Sequence, residues 1–282
     1  MENLSNISVI KDIAERFGFS FSKSLGQNFL INPSVCPRIA EMGGAEKGVG
    51  VIEIGTGFGV LTHELCKRAE KVVAIELDAR LIPVLQYTLS EHKNFKVINE
   101  DVLKVDLHRL IEEEFAGMEV VVCANLPYYI TSPIIMALLE ERLPIKAITV
   151  MVQKEAAARL CASMPSRDCG AVTAAVRYYS EPKVLFNVSR GSFMPAPNVD
   201  SCVIRLDVKK ELPLSGDAEK KLFKVVHGAF SQRRKTLQNT LGSSLSLPKP
   251  VVAEALEQVE LKTTARAEEL SLEQFIRLSE IL

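Results

Sequence analysis

The chain has 282 residues, 47% of them apolar, and a formal net charge of −1. That length supports one large core with an appendage or two ordinary domains, and the apolar share points to a globular protein. No apolar run approaches the roughly eighteen residues that cross a bilayer, and the opening "MENLSNISVIKDIAERF" lacks a basic end followed by an apolar stretch, so a soluble, cytoplasmic protein with no membrane partner is expected.

From about residue 49, short runs rich in Val and Ile ("VGVIEI", "KVVAIEL", "FKVIN", "MEVVVCAN", "AITVMVQ") alternate with amphipathic stretches such as "VLTHELCKRA", "ARLIPVLQYTLSEH" and "PIIMALLEER". Such short apolar runs suit strands buried on both faces. The alternation predicts a parallel sheet with helices on both sides, a doubly wound α/β domain. After Ala171, "AVTAAVRYYSEPKVLFNVS" and "DSCVIRLDV" are expected to be strands that finish the sheet as an antiparallel edge, with "RGSFMPAPNVD" a stiff loop between them. "KKELPLSGD" reads as a linker. Beyond Asp217 the period is helical, with Leu222, Val225, Val226, Ala229 and Phe230 on one face. The expected division is a domain over 1–211 and a small helical domain over 212–282.

Between the first of these strands and its helix, "VIEIGTGFGVLT" carries Gly55, Gly57 and Gly59, a turn that lets backbone amides approach a ligand closely. The dinucleotide fingerprint requires glycine at a spacing of two and then three; position 60 is Val60, so that fingerprint fails. Glu53 lies two residues before the first glycine, Glu76 ends the second strand and Asp101 follows the third. Strand ends on one edge of a parallel sheet are where ligands bind in this architecture. Glu76 suits ribose hydroxyls and Asp101 an adenine amine, while no Walker lysine offers to neutralise a pyrophosphate. An adenosine without phosphate fits best, and S-adenosylmethionine is the common one.

The fourth strand runs into Asn125, Leu126, Pro127 and Tyr128. An exocyclic amine of adenine is a poor nucleophile because its lone pair is delocalised into the ring. Two acceptors on its protons, the side-chain oxygen of Asn125 and the free carbonyl of Leu126 or Pro127, favour a more tetrahedral nitrogen aimed at a sulfonium methyl. Holding donor and acceptor in line supplies much of the rate, with no strong base. Tyr128 offers a platform for an extruded base. Phe193, in "SFMPAP", is the candidate for the other face of that base, its alternative role being a core anchor at a hinge.

Charge is unevenly spread. Residues 41–141 carry 9 Lys and Arg against 17 Asp and Glu, residues 142–210 carry 11 against 5, and residues 221–240 carry five cations and no acid. This asymmetry points to a polyanion held on one side. Cys36, Cys66, Cys123, Cys161, Cys169 and Cys202 are scattered without a C-x-x-C pair, which predicts buried free thiols and no metal.

The segments "KSLGQNFLINP", "EIGTGFGVLT", "ANLPYYITSPI", "VQKEAAARL", "FMPAPNVDS" and "RRKTLQNTL" together resemble the ribosomal small-subunit RNA adenine dimethyltransferases, the KsgA or RsmA family, over roughly residues 20–280. The resemblance implies a Rossmann-like class I S-adenosylmethionine-dependent methyltransferase sheet with a C-terminal helical domain. It implies dimethylation of two adjacent adenosines in the loop of the last hairpin of 16S rRNA, within the assembling 30S subunit, by a monomer. Carried over by residue, Asn28 and Leu30, with Gln27 beside them, resemble a lid over the cofactor's methionine end. Gly55 and Gly57 resemble the glycine loop, Glu76 the ribose ligand, Asp101 with Val102 the adenine contact, and Asn125 the catalytic amide that also borders the cofactor. Tyr128 and Phe193 resemble the stacking pair. Arg233, Arg234 and Lys235, with Lys23, are assigned to the rRNA backbone. Thr56, Tyr129 and Gln238 stand where many relatives have proline, asparagine and a basic residue. A large-subunit rRNA adenine methyltransferase of the antibiotic-resistance type is the nearest alternative, with Leu126, "QKE" and "FMPAP" favouring the small subunit.

Overall fold

The computed structural model describes residues 4–19 and 28–282, which divide into two compact units, one of residues 1–157 and 182–208 and one of 158–181 and 209–282. The first unit opens with α1 (Ile7–Arg16), β1 (Phe29–Leu30) and α2 (Val35–Met42). It continues through β2 (Val49–Ile54), α3 (Val60–Cys66), β3 (Lys71–Glu76), α4 (Ile82–Thr88), β4 (Phe95–Asn99), α5 (Leu107–Glu114), β5 (Glu119–Asn125), α6 (Thr131–Glu140) and β6 (Ala147–Gln153). α7 (Lys154–Leu160) and α8 (Ala171–Tyr179) lead on to β7 (Ser180–Val188), β8 (Phe193–Met194) and β9 (Ser201–Val208).

Seven strands form one sheet in the order β4-β3-β2-β5-β6-β9-β7. The pairs β4–β3, β3–β2, β2–β5 and β5–β6 are parallel, and β9 runs antiparallel to β6. The register explains why the apolar runs are unbroken. Every residue of β2 is buried, because Val51 faces the core built with α2 and α3 while Gly50 faces Phe115, which follows α5. The chain steps from β2 to β3 to β4 on one side and returns to β5 on the other, so the topological switch falls between the carboxyl ends of β2 and β5.

A second core joins α1 to this domain through Ile10, Ile13 and Ala14, with Phe19, Phe29 and Phe58 meeting edge to face at centroid distances of 6.2, 5.3 and 4.7 Å. Asn6 starts α1 by accepting from the Ser8 amide at 3.0 Å.

The other unit consists of α8 with α9 (Gly216–Phe230), α10 (Leu237–Ser244), α11 (Lys249–Gln258) and α12 (Leu272–Ile281). Leu222, Val225, Val226 and Ala229 are buried as their period predicts, and the Phe230 ring lies 5.7 Å from Phe275. Ser271 and Gln274 cap α12 reciprocally. The expectation of strand from Ala171 onward is corrected for its first half: residues 171–179 are helical and only β7 is strand. Val and Tyr suit either state, and partners about forty residues on decide it. Tyr178 and Tyr179 both reach Glu219, at 3.1 and 2.8 Å, and the Tyr179 ring stacks on Phe223. Accordingly 158–181 packs with the helical unit rather than with the domain expected to end at residue 211.

All six cysteines are free; Cys36, Cys66, Cys123, Cys169 and Cys202 are buried and Cys161 is half-buried. Among the described residues, no helix is long and apolar enough to cross a membrane.

Candidate active site

The sheet's switch point opens a cleft lined from five directions: the segment around β1, the turn after β2, and the ends of β3, β4 and β5. Gly55 and Gly57 sit at φ of 74° and 54°, in the left-handed region that disfavours side chains. A Cβ on Gly57 would stand 3.1 Å from the Phe29 ring, so the turn and β1 touch at that point. Around Gly55 the nearest atom to a Cβ is the Asn125 carbonyl oxygen at 3.9 Å, which sets the glycine turn directly against the end of β5.

Glu76 is 6% exposed and already heavily bonded. Its Oε2 accepts from the Thr56 amide at 2.9 Å and the Thr56 hydroxyl at 2.8 Å, and its Oε1 accepts from the Asp78 amide at 2.9 Å. A carboxylate offers about four acceptor sites, so one remains, on Oε1. Asp78 is tied in turn to Arg80 at 2.6 Å, and Asn99 donates to the Glu76 backbone carbonyl at 2.7 Å. Asp101 accepts from the Leu103 amide at 3.1 Å through Oδ1 and faces the cleft beside Val102.

At the end of β5 the side-chain amide of Asn125 has no hydrogen-bond partner among the described residues. The two candidate carbonyls separate. Pro127 O accepts from the Ile130 amide and the Thr131 hydroxyl, each at 3.2 Å, and so is not free. Leu126 O receives no donor among the described residues, although its side chain is buried. Tyr128 lines the cleft, with its hydroxyl 2.7 Å from Ser201 Oγ; burial raises its phenol above the ordinary range, and the Ser201 contact opposes that shift. Tyr129, 61% exposed, stands at the mouth.

Asn28, Leu30, Gly55, Gly57, Glu76, Asp101, Val102, Asn125, Leu126, Pro127 and Tyr128 are all brought together here. Phe193 is not. It is 3% exposed, its backbone pairs with Leu30, and its ring belongs to the core with Val35 and Ile39. Gln27 and Lys23 lie outside the described residues. Arg233, Arg234 and Lys235 follow α9 in the helical unit, exposed, with Arg233 Nη2 donating to Arg167 O at 2.7 Å. Sequence reasoning missed the holding residues Thr56, Asn99 and Ser201, because only the fold brings their partners near.

Glu53 lines the same cleft from β2 at 0% exposure, and neither of its oxygens meets a hydrogen-bond partner. Burial pushes its carboxyl up to about 8; the nearby Thr62 hydroxyl works against that shift and the Glu76 carboxylate adds to it. The cleft is lined by Glu53, Glu76, Asp78, Glu100 and Asp101, and among the described residues no Lys, Arg or His lines it. Glu53 keeps its proton at neutral pH and Asp78 is offset by Arg80, so Glu76, Glu100 and Asp101 give the cleft its acidic character, which repels phosphate and attracts positive charge. A cationic nucleoside therefore suits the cleft. With a glycine turn at the switch point of this sheet, that places the chain among the class I S-adenosylmethionine-dependent methyltransferases.

Comparison with known proteins narrows the class. The family model for ribosomal RNA adenine dimethylase matches residues 18–282, and the chain belongs to that family. The Ribosomal RNA small subunit methyltransferase A of Geobacillus thermodenitrificans is 49% identical over 276 residues, 96% of this chain and 94% of that protein. The protein of the same name from Bacillus licheniformis is 48% identical over the same shares. Among solved structures, a dimethyladenosine transferase from Plasmodium falciparum matches with a TM-score of 0.74 at 28% identity, covering 89% of this chain and 95% of that one. The 23S rRNA methyltransferase ErmE matches at 0.69 and 30% identity, covering 90% and 99%.

Proposed function

We propose that the protein dimethylates the exocyclic N6 of two adjacent adenosines in the loop of the 3′-terminal hairpin of 16S rRNA, acting as a monomer in the cytoplasm on the assembling 30S subunit. The observation that carries this reading is the pair of open acceptors, Asn125 Oδ1 and Leu126 O, at the border of an acidic, glycine-walled cleft. The names of the relatives, at 48% to 49% identity, support the small subunit as substrate.

S-adenosylmethionine, when bound, supplies the electrophilic methyl group. Glu76 would hold the ribose hydroxyls through acceptor capacity left on its carboxylate, and Asp101 would accept from the adenine amine, its Oδ1 already bonded to the Leu103 amide. Gly55 and Gly57 would leave room for the nucleoside, and Asn28 and Leu30 would close the methionine end. On the other side of the transfer, Asn125 Oδ1 and Leu126 O accept the two amine protons of the target adenine. With its protons so held the nitrogen keeps its lone pair free for the methyl that the bound cofactor would supply; transfer would break the methyl–sulfur bond, leave the cofactor as its neutral thioether and pass the excess amine proton to solvent. Tyr128 stacks on the extruded base and offsets part of its unstacking cost, about 1 to 3 kcal/mol. Arg233, Arg234 and Lys235 hold rRNA phosphates.

A large-subunit substrate is the second reading, favoured by the likeness to ErmE. Incubating the protein with labelled cofactor and either unmethylated 30S subunits or naked 23S rRNA, then locating label by mass spectrometry, separates the two. Label in two adjacent adenosines of the 30S hairpin is expected. Label confined to 23S rRNA would replace the first reading with the second.

A further inference from the structure

The "FMPAPNVDS" segment reaches the active site by a route other than Phe193. Its last residue, Ser201, opens β9, is 0% exposed, and has its Oγ 2.7 Å from the Tyr128 hydroxyl. Backbone bonding on both sides fixes its place. Ser201 pairs with Gln153 at the end of a ladder of seven consecutive pairs between β6 and β9. The preceding Asp200 accepts the Arg190 amide through Oδ1 at 2.9 Å and the Lys154 amide through its carbonyl at 3.0 Å.

Tyr128 begins a one-turn 3-10 helix directly after Pro127, so its backbone is set at one end of the side chain and its hydroxyl at the other. A ring held at both ends cannot swing about χ1. A fully buried serine hydroxyl, for its part, needs a partner, since leaving it bare costs about 1 to 3 kcal/mol. Each group therefore holds the other.

We propose that Ser201 is a positioning residue for the reaction: its hydroxyl, fixed by the antiparallel β6–β9 edge, holds the Tyr128 ring in the plane on which the target base stacks. This rests on the reading above that Tyr128 is the base platform. The antiparallel edge of the sheet thereby takes part in substrate placement, at a strand that contributes nothing to the cofactor cleft. Ordering of the ring before the base arrives is an entropy already spent, so the benefit falls on the methyl-transfer step and not on cofactor binding.

The test compares Ser201→Ala, Ser201→Thr, Tyr128→Phe and the Ser201→Ala/Tyr128→Phe double variant, using unmethylated 30S particles. Turnover, particle KM and cofactor affinity are measured separately, with melting temperature as the fold control. Ser201→Ala and Tyr128→Phe are each expected to lower kcat about tenfold, the value of one well-placed hydrogen bond, with the double variant no worse than either. Cofactor affinity is expected to stay at the starting value, and Ser201→Thr to recover most of the rate. If Ser201→Ala does not fold, Tyr128→Phe reports the same bond from its other side. A 2-aminopurine base at the target position gives a second readout, its stacking quench weakening in Ser201→Ala.

Full turnover in Ser201→Ala, losses that multiply in the double variant, or cofactor affinity falling in parallel with rate would each overturn the assignment. Tyr128→Ala separates it from its parent reading. Lost turnover there with full turnover in Ser201→Ala removes only the Ser201 role, whereas full turnover in Tyr128→Ala removes the platform and the Ser201 role together.

Discussion

Thr56 donates both its amide and its hydroxyl to a single oxygen of Glu76, at 2.9 and 2.8 Å, tying the glycine turn to the end of β3. A proline at this position would have no amide proton to give, so the pair of hydrogen bonds depends on a residue such as Thr56 standing there. Thr56→Val, which removes one of the two bonds at nearly constant volume, is expected to weaken cofactor binding by about threefold to tenfold. Glu76→Ala, which removes the acceptor, should weaken it further. Calorimetric titration reads both, and cofactor affinity unchanged in Glu76→Ala would remove the carboxylate from the binding site.

Asn125 has an open side-chain amide where β5 ends. Asn125→Ala is expected to lower single-turnover methylation by about a hundredfold or more, the usual scale for one oriented polar group at a reacting centre, while the cofactor dissociation constant changes far less. Equal losses in the two quantities would make Asn125 a cofactor ligand only.

Glu53 links stability to pH. Its folded carboxyl is held up to about 8, against an ordinary value of 4.5. Between those two values the folded chain keeps a proton that the unfolded chain has released, so stability falls as pH rises through that window and levels off above it. Glu53→Gln lacks the proton and the slope. Its melting temperature is expected to exceed that of the parent by about 3 °C or more at pH 8 and to match it near pH 4.5, in thermal scans without cofactor. Parallel curves for the two proteins would show that Glu53 is not held neutral.

For the helical unit, replacing Arg233 and Arg234 with alanine is expected to weaken rRNA binding and to lower the slope of log affinity against log salt by about 1 to 2. Filter binding across a salt series measures this. Unchanged affinity at every salt concentration would leave the pair without a phosphate partner.

Phe193 tests the division between core and site. Phe193→Leu keeps an apolar anchor and is expected to retain turnover, whereas Phe193→Ala costs about 3 to 5 kcal/mol of stability. A Phe193→Leu protein that is fully stable and binds cofactor but no longer turns over would return the ring to the base.

The sheet was legible because β2, β5 and β6 are buried on both faces and so read as unbroken apolar runs. The carboxylates were legible because strand ends on one edge converge whatever the loops do. α8 was not, since its Ala, Val and Tyr residues fit helix and strand alike until Glu219 and Phe223 pack against them. The residues that hold the site were hidden for a related reason. Thr56 and Glu76 are 20 apart in sequence, Asn99 and Glu76 23, Tyr128 and Ser201 73. No local pattern marks a hydroxyl or amide whose partner arrives only with the fold. Phe193 carries the family motif, and its burial in the core is likewise a product of the fold that the motif does not show.

The six thiols make the native chain a poor target for alkylation. A thiolate is the reacting species, and burial pushes Cys66 and Cys123 up to about 12, so about one in ten thousand of either is ionised at pH 8. Cys161, less enclosed than the other five, is the place where a maleimide enters first. Counting adducts by mass, few on the native chain and six on the unfolded one, turns these scattered sulfurs into a gauge of how much of a preparation is folded.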